Sequence, residues 1–418
     1  TRQGRGDTAT HKLFVERAYT LLQERGRLAY VIPSGIYTDL GTKELREMLF
    51  NEGRIEYLYN FSNERFFFPA VDHRVKFTLL GAQKGETSDG FWASFRFNPR
   101  VAVRPEELAD FLARPANLVY IRLESLVRFS PDSLSVMEFQ SQRDYDIAEK
   151  IYGDHPLLGH ATSYWNVKLN NEFHFTNDRH LLNQVGRGYP LVEGKTIHQF
   201  DANYSTYNFW VDVDRAGLSD AARLQLDTFR VVHRRIAGAT NERTLLAAII
   251  PPGTAAEVNA TVALIEKSDN QRPELFVCSI LNSFVSDYVI RYKVSTTLNM
   301  FYMYQLPVPR LTAGNPTFDA IVPRAARLTC TTPAFADLWQ QVMGEGWTPE
   351  AGARDPAERQ RLRDEIDALV AHLYGLSRDE FAHILGAFPL VFPDTPAGRQ
   401  KKAALLAVYG RIAGRDSM

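Results

Sequence analysis

Cysteine is nearly absent: Cys278 and Cys330 are the two in 418 residues. Two isolated thiols build neither a disulfide framework nor a thiolate metal site, and such usage fits a reducing compartment. No run of about 18 uninterrupted apolar residues exists, so no membrane-crossing helix is expected. The opening TRQGRGDTATHK is polar where a secretion signal needs an apolar stretch. On these grounds the protein is expected to be soluble and cytoplasmic. Charge of one sign is also in short supply, since 48 Lys plus Arg face 49 Asp plus Glu for a net of -1. Any polyanion therefore has to meet basic groups gathered on one face. Usable histidine spacing is missing as well. His155 and His160 flank a Pro-Leu-Leu-Gly turn, and His174 and His180 stand six apart without a third ligand, so no metal site is expected. A carboxylate pair with a closely trailing Lys, as a nuclease would carry, does not occur.

What is present is a large apolar inventory, 45% hydrophobic and 12% aromatic, enough for two or three domains. Leu13, Phe14, Ala18, Leu21 and Leu22 recur at helical spacing, Gly26 stops that run, and Leu28 to Ile32 reads as a buried strand. Pro33-Ser34-Gly35 breaks the strand, and Leu45, Met48 and Leu49 mark a second helix from Thr42 to Phe50. Strands from Ile55 to Tyr59 and from Val75 to Ala82 follow. This alternation predicts an α/β fold with a parallel sheet covered on both faces, of which about half is present. A sheet cut at its middle exposes an apolar edge strand and implies a partner segment.

Residues 91–156 read as a connector, with helices near Pro105 to Leu112 and from Ser141. Residues 157–312 are rich in aromatics, Asn and short strand-like runs such as Tyr164 to Leu169 and Asn208 to Val213, and form a separate α+β module with one helical run from Leu275 to Tyr292. Trp165 and Asn166 are expected as core plus turn. Residues 313–418 are helical by period, with Leu362, Ile366, Leu369, Val370 and Leu373 on one face.

Three segments resemble the Eco57I-like adenine-specific DNA methyltransferases. They are LFVERAYTLLQERGRLAYVIPSGIYTD at 13 to 39, RFFFPAVDHRVKFTLLGAQKG at 65 to 85, and VVHRRIAGATNERTLLAAIIPPG at 231 to 253 continuing through LNSFVSDYVIRYKVSTTLNMFYMYQLPVPR at 281 to 310. EIDALVAHLYGLSRDEFAHIL at 365 to 385 adds a weaker match. The resemblance implies that residues 1–90 are the C-terminal half of a Rossmann-like methyltransferase domain, followed by a target-recognition domain and a helical tail. It also implies a glycine-rich turn for S-adenosylmethionine and an Asn/Asp-Pro-Pro-aromatic loop for the adenine amino group. Neither string occurs: Phe97-Asn98-Pro99 lacks the second proline, and Ile250-Pro251-Pro252 lacks the polar residue before the prolines. The cofactor is therefore expected to bind a segment absent from this chain, which reads as the C-terminal part of a longer enzyme, inactive alone, or as one member of a pair. A non-catalytic specificity subunit, or a scaffold in a phage-defence complex, is the alternative.

Methylating an adenine inside a duplex requires swinging the base out and holding it between aromatic or apolar faces. In the resembled family a Phe at the place of Phe68 packs against the flipped adenine; the plainer reading makes Phe66, Phe67 and Phe68 all packing residues. Phosphate contacts need Arg and Lys, and Arg230, Arg234, Arg235, Asn241 and Arg243 cluster against a single acid, Glu242. Strand alternation puts Arg230 and Arg234 on one side and Arg235 on the other, so at most one set faces double-stranded DNA; an internal pairing or a solvated face is the alternative for each. Lys195, with His198, and Lys293 are placed along the same groove. Asn299, like Asn241, either touches a base or caps a turn.

Overall fold

The apolar period from Leu13 becomes α1 (Thr10–Leu21), packed by Val15 and Tyr19, and the run after Gly26 becomes β1 (Arg27–Pro33). The computed structural model describes Arg2 and residues 9–96, 102–266, 272–294 and 296–413. Phe97-Asn98-Pro99 lies outside the described residues. The chain divides into two units, Thr1–Tyr152 and Gly153–Met418.

In the first unit the turn after β1 forms α2 (Gly35–Thr38), and the Leu45, Met48, Leu49 pattern forms α3 (Lys43–Asn51), whose apolar side is buried. β2 (Gly53–Ser62), β3 (Lys76–Lys84) and β4 (Gly90–Arg96) follow, then α4 (Leu108–Leu112), β5 (Val119–Arg122), α5 (Leu123–Phe129) and α6 (Gln142–Tyr152). The five strands pair in the order β1-β3-β2-β4-β5.

The predicted parallel sheet is corrected here. β3 inserts between β1 and β2 and runs antiparallel to both, β4 and β5 are antiparallel, and β2 with β4 is the one directly paired parallel couple. Because β1 and β2 each oppose β3, they still run parallel to each other, joined through α2 and α3. Helical and strand periods were read correctly, but the reversal of β3 is a nonlocal pairing choice with no local signature. The stretch read as a connector supplies β4 and β5 to the same sheet. At its other side β1 pairs with β3 alone among the described residues, and Val31 is 54% exposed there.

The second unit carries β6 (Asn166–Asn170), β7 (Leu182–Asn183), β8 (Tyr189–Val192), β9 (Trp210–Val211), α7 (Asp220–Leu226), β10 (Arg230–Arg234), β11 (Ala247–Ile250), β12 (Ala255–Ala256) and β13 (Ala260–Glu266). An antiparallel sheet of order β11-β10-β13-β6 and a smaller one of order β12-β8-β9-β7 result. Trp165 sits in the core with its indole N–H donated to the Leu311 carbonyl at 2.8 Å.

The helical run expected from Leu275 to Tyr292 is two helices, α8 (Arg272–Asn282) and α9 (Phe284–Arg291). Ser283 divides them, because its hydroxyl accepts the Ser286 N–H as an N-cap. Both helices are buried nearly all round, so apolar periodicity runs on through the break. α10 (Met300–Tyr304), α11 (Pro316–Thr329), α12 (Ala336–Met343), α13 (Pro356–Leu373), α14 (Arg378–Gly386) and α15 (Pro396–Ala413) complete the helical region. Among the described residues no helix is long and apolar enough to cross a membrane.

Candidate nucleic-acid interface

The aromatic run of the first unit lies in the exposed loop between β2 and β3. Asn63, fully buried at the loop's start, holds it in shape. Its amide donates to the carbonyls of Phe68 at 2.9 Å and Val71 at 2.8 Å, while its Oδ1 accepts the Phe68 N–H at 2.9 Å. Phe66 adopts a left-handed φ of 53°, a costly conformation for a bulky residue, and the Asn63 bonds on either side enforce it. The three rings then separate. Phe67 turns inward against Phe61 and Phe77, Phe68 sets an edge on Phe77 with centroids 5.1 Å apart and stays 38% exposed, and Phe66 is 57% exposed.

Beside these rings Arg65 is exposed and has no acidic partner among the described residues. Arg74, by contrast, is tied to Asp72 at 2.9 Å. Phe68 is thus a supported, half-open ring, and Phe66 is a second open ring beside it. Asn63 was missed in the sequence reading; an Asn closing a strand three residues before an aromatic run was its only signal.

The arginine-rich segment of the second unit also divides. Arg230 is buried, faces Glu172 at 3.1 Å and donates to the carbonyls of Gln225, Thr228 and Thr254. Arg243 is buried as well. It pairs with Asp287 at 2.7 Å, donates to the Asn282 carbonyl and lies over the Phe284 ring at 4.2 Å. Both leave the set of residues open to DNA, because their donors are spent inside the protein. Asp287 is the fixing point: it also accepts Arg291 at 2.9 Å and the backbone N–H groups of Thr244 and Leu245. The loop from Gly238 to Leu246 is thereby bolted to α9. His233 is buried too, and desolvation pushes its pKa down to about 4, which keeps the imidazole neutral.

Arg234 and Lys195 do meet. Arg234 donates to the carbonyls of Gly194 at 2.7 Å and Ile197 at 2.8 Å, and with Lys195, Glu193, Ile236, Glu257 and Asn259 it lines an open groove of about 310 Å³. Lys195 pairs with Glu193 at 2.9 Å, and Glu257 accepts from the backbone and side chain of Asn259. The groove therefore sets basic, acidic and amide side chains beside an apolar residue, Ile236, 57% exposed. Burial, the largest effect, raises the Glu257 pKa, and the Asn259 hydrogen bonds oppose it.

Arg235 is half-buried at the end of β10, with no acid pairing its guanidinium among the described residues. Its backbone anchors the next segment: Leu298 N–H donates to its carbonyl at 2.8 Å, and Ile236 bridges to Thr297. Asn299 sits at the N-cap of α10, yet its side chain makes no capping bond, and Asn241 is exposed while its carbonyl accepts from Arg291. Lys293 donates to Gln305 Oε1 at 2.9 Å, and desolvation lowers its pKa to about 7. His198 stacks on Tyr204 at 4.8 Å; burial first, then Arg234 and Arg363, lower its pKa.

Among the described residues no group of His, Cys, Asp or Glu is arranged to hold a metal. β1 runs into Ser34–Gly35 and not a glycine-rich turn, and Pro251 and Pro252 follow the wholly buried β11.

Residues 2–67 match the family model described as the Eco57I restriction-modification methylase. This segment is Eco57I-like. The match takes in all of the first resembling stretch and ends at Phe67, inside the aromatic loop. No curated protein matches the sequence. Among solved structures, the chain is similar to the type IIL restriction-modification enzyme MmeI in complex with DNA, at 12% identity and a TM-score of 0.50, over 97% of this chain and 52% of that one. The type IIG restriction endonuclease BpuSI is 13% identical with a TM-score of 0.33, over 90% of this chain and 50% of that one. The chain spans about half the length of these two structures, 52% and 50%. The likeness to the first supports the mixed α/β fold.

Proposed function

We propose that the chain is the DNA-reading and base-holding part of a restriction-modification methylase that transfers methyl from S-adenosylmethionine to adenine N6. The observation that carries this reading is the groove shared by Arg234 and Lys195, together with an arginine, Arg235, that no acid neutralises among the described residues. A mixed row of donors and acceptors beside an apolar side chain suits base edges, which present that alternation in the major groove. An uncompensated guanidinium suits a phosphate. β10 ends at Arg234, so strand alternation does not govern Arg235: in this reading Arg235 anchors the duplex backbone, and Arg234 with Lys195 reads base edges. Asn241 and Asn299, whose side chains are not spent on caps, flank the reading residues.

In the aromatic loop, Phe68 is supported from behind by Phe77 and open in front, which suits a ring stacking on an extruded adenine. Phe66 is the nearer alternative, since it is the more exposed ring. The cofactor supplies an electrophilic methyl to the assembled enzyme, and these residues contribute position alone. Phe68→Ala in the complete enzyme is expected to slow methylation by about a hundredfold, as loss of a positioning contact does, and to lower the fluorescence of 2-aminopurine at the target. Wild-type rate with unchanged fluorescence would move the base wall to Phe66.

A second reading is a specificity subunit that binds DNA and never meets the cofactor. Methyl transfer by the purified complete protein decides between the two: incorporation into a duplex supports the first, and sequence-specific binding without incorporation supports the second.

A further inference from the structure

The turn from His198 to Asp201 is strained and tightly held. Phe200 has a left-handed φ of 59° although it is bulky and 3% exposed. His198 and Asp201 exchange backbone hydrogen bonds at 2.8 and 3.0 Å across the turn, and Phe200 N–H donates to the Ala247 carbonyl of β11 at 2.9 Å. The buried Gln199 amide donates to the Asn282 carbonyl at the end of α8 at 3.0 Å. Backbone outliers of this kind persist only where the surroundings enforce them, and they cluster at sites that meet a ligand.

What the turn presents is Tyr204. The loop that follows is closed by its own side chains: Asp201 accepts the Asn203 N–H at 2.9 Å, Asn203 accepts the Tyr207 hydroxyl at 2.8 Å, and the Ser205 hydroxyl donates to the Lys195 carbonyl at 3.3 Å. Tyr204 differs. Its ring stacks on the His198 imidazole with centroids 4.8 Å apart and planes 27° from parallel, and the residue is 58% exposed. Its hydroxyl has no hydrogen-bond partner among the described residues.

The ring stands beside the groove lined by Arg234 and Lys195. Arg234 donates to the carbonyl of Ile197, the residue before His198, while Ser205, the residue after Tyr204, holds the Lys195 carbonyl. Arg234 and Tyr204 are also close enough to interact electrostatically. Where Arg234 and Lys195 face base edges, the sugar-phosphate strands run along the margins of the contact, and phosphate oxygens only accept hydrogen bonds. A phenol is a donor that suits them. Stacking a base on the open ring face would instead need unpaired bases, whereas a duplex offers phosphates along its whole length.

We infer that Tyr204 is a further DNA contact, its hydroxyl donating to a backbone phosphate of the duplex read by Arg234 and Lys195, and that His198 is the positioning residue that braces its ring. This rests on the DNA reading proposed above and adds to it a neutral, sequence-independent anchor.

Titration of the full chain by fluorescence anisotropy, with a duplex carrying the recognition site and with one of unrelated sequence, tests it. Tyr204→Phe keeps the ring and the stack, and is expected to weaken binding to both duplexes by about tenfold. The slope of log affinity against log salt should stay as in wild type, because a neutral donor displaces no counterion. His198→Ala should weaken both complexes by about threefold, and His198→Phe, which rebuilds a ring stack, should restore them. Unaltered affinity in Tyr204→Phe would overturn the contact while leaving the DNA reading in place. A loss confined to the duplex with the recognition site would put the hydroxyl on a base edge and overturn the phosphate assignment. No duplex binding by the wild type would overturn the DNA reading itself, and this contact with it.

Discussion

Arg230 and Arg243 flank Arg234 and Arg235 in one basic segment, yet the outer two in sequence are the inner two in space. Arg230 meets Glu172, and Arg243 meets Asp287, 44 residues downstream. Arg234 and Arg235 point to a groove and to an unpaired site. One motif divides: Arg230 and Arg243 are paired with buried acids, while Arg234 donates to the carbonyls of Gly194 and Ile197 and Arg235 has no acid pairing it among the described residues. Basic composition alone does not separate the two pairs. Acid partners far away in sequence do.

The largest effect should follow from attacking the internal pair. Asp287→Ala leaves Arg243 and Arg291 without their common carboxylate and is expected to lower unfolding free energy by about 3–5 kcal/mol, the usual cost of stranding a buried charge. Denaturant titration measures it. A loss under about 1 kcal/mol, the range of exposed ion pairs, would erase the distinction between inner and outer arginines.

Next comes Arg234→Ala, which should leave the unfolding midpoint nearly unmoved relative to Asp287→Ala. Its effect should fall on discrimination between a cognate and a mismatched duplex, by about 1–3 kcal/mol if the side chain reaches a base edge. Competition binding reads this difference. Equal loss for both duplexes would assign Arg234 to the backbone instead, and a large stability loss would place it with Arg230.

The last prediction concerns protons. Asp367 accepts the Phe284 N–H at 2.8 Å inside the second unit, and burial raises its pKa to about 7; Glu274 rises to about 8. Both are raised above their unfolded values, so the folded state holds protons the unfolded state has released. Stability is fully present below the ordinary carboxylate range and is lost as pH climbs toward 7 and 8, each group adding a slope of about 1.4 kcal/mol per unit in that window. Asp367→Asn and Glu274→Gln should each flatten the profile. A profile that rises from pH 5 to 8 would contradict the neutral, buried state of both acids.

Much of this architecture was legible beforehand. Apolar spacing located α1, α3, β1 to β3 and α13 to within a few residues, because each buries one continuous face. The direction of β3 was not legible, since pairing order depends on which strands meet and leaves no mark in the strand itself. The break at Ser283 was hidden because α8 and α9 are apolar on all sides, so no polar face reset the period. Alternation separated Arg230 and Arg234 from Arg235, but β10 ends at Arg234, and alternation could not say that Glu172 waits beneath Arg230. Only the i, i+4 spacing of Asp287 and Arg291 hinted at the bolt. In the aromatic loop the family resemblance pointed to Phe68; Asn63, which shapes the loop, went unnoticed because its bonds are to backbone.

The salt dependence of duplex binding, compared between Arg235→Ala and wild type, tests the central division most directly. If Arg235 contacts a phosphate, the slope of log affinity against log salt should shrink by about 0.9 in that variant, with the unfolding midpoint unchanged. An unaltered slope would show that Arg235, which no acid pairs among the described residues, does not hold DNA.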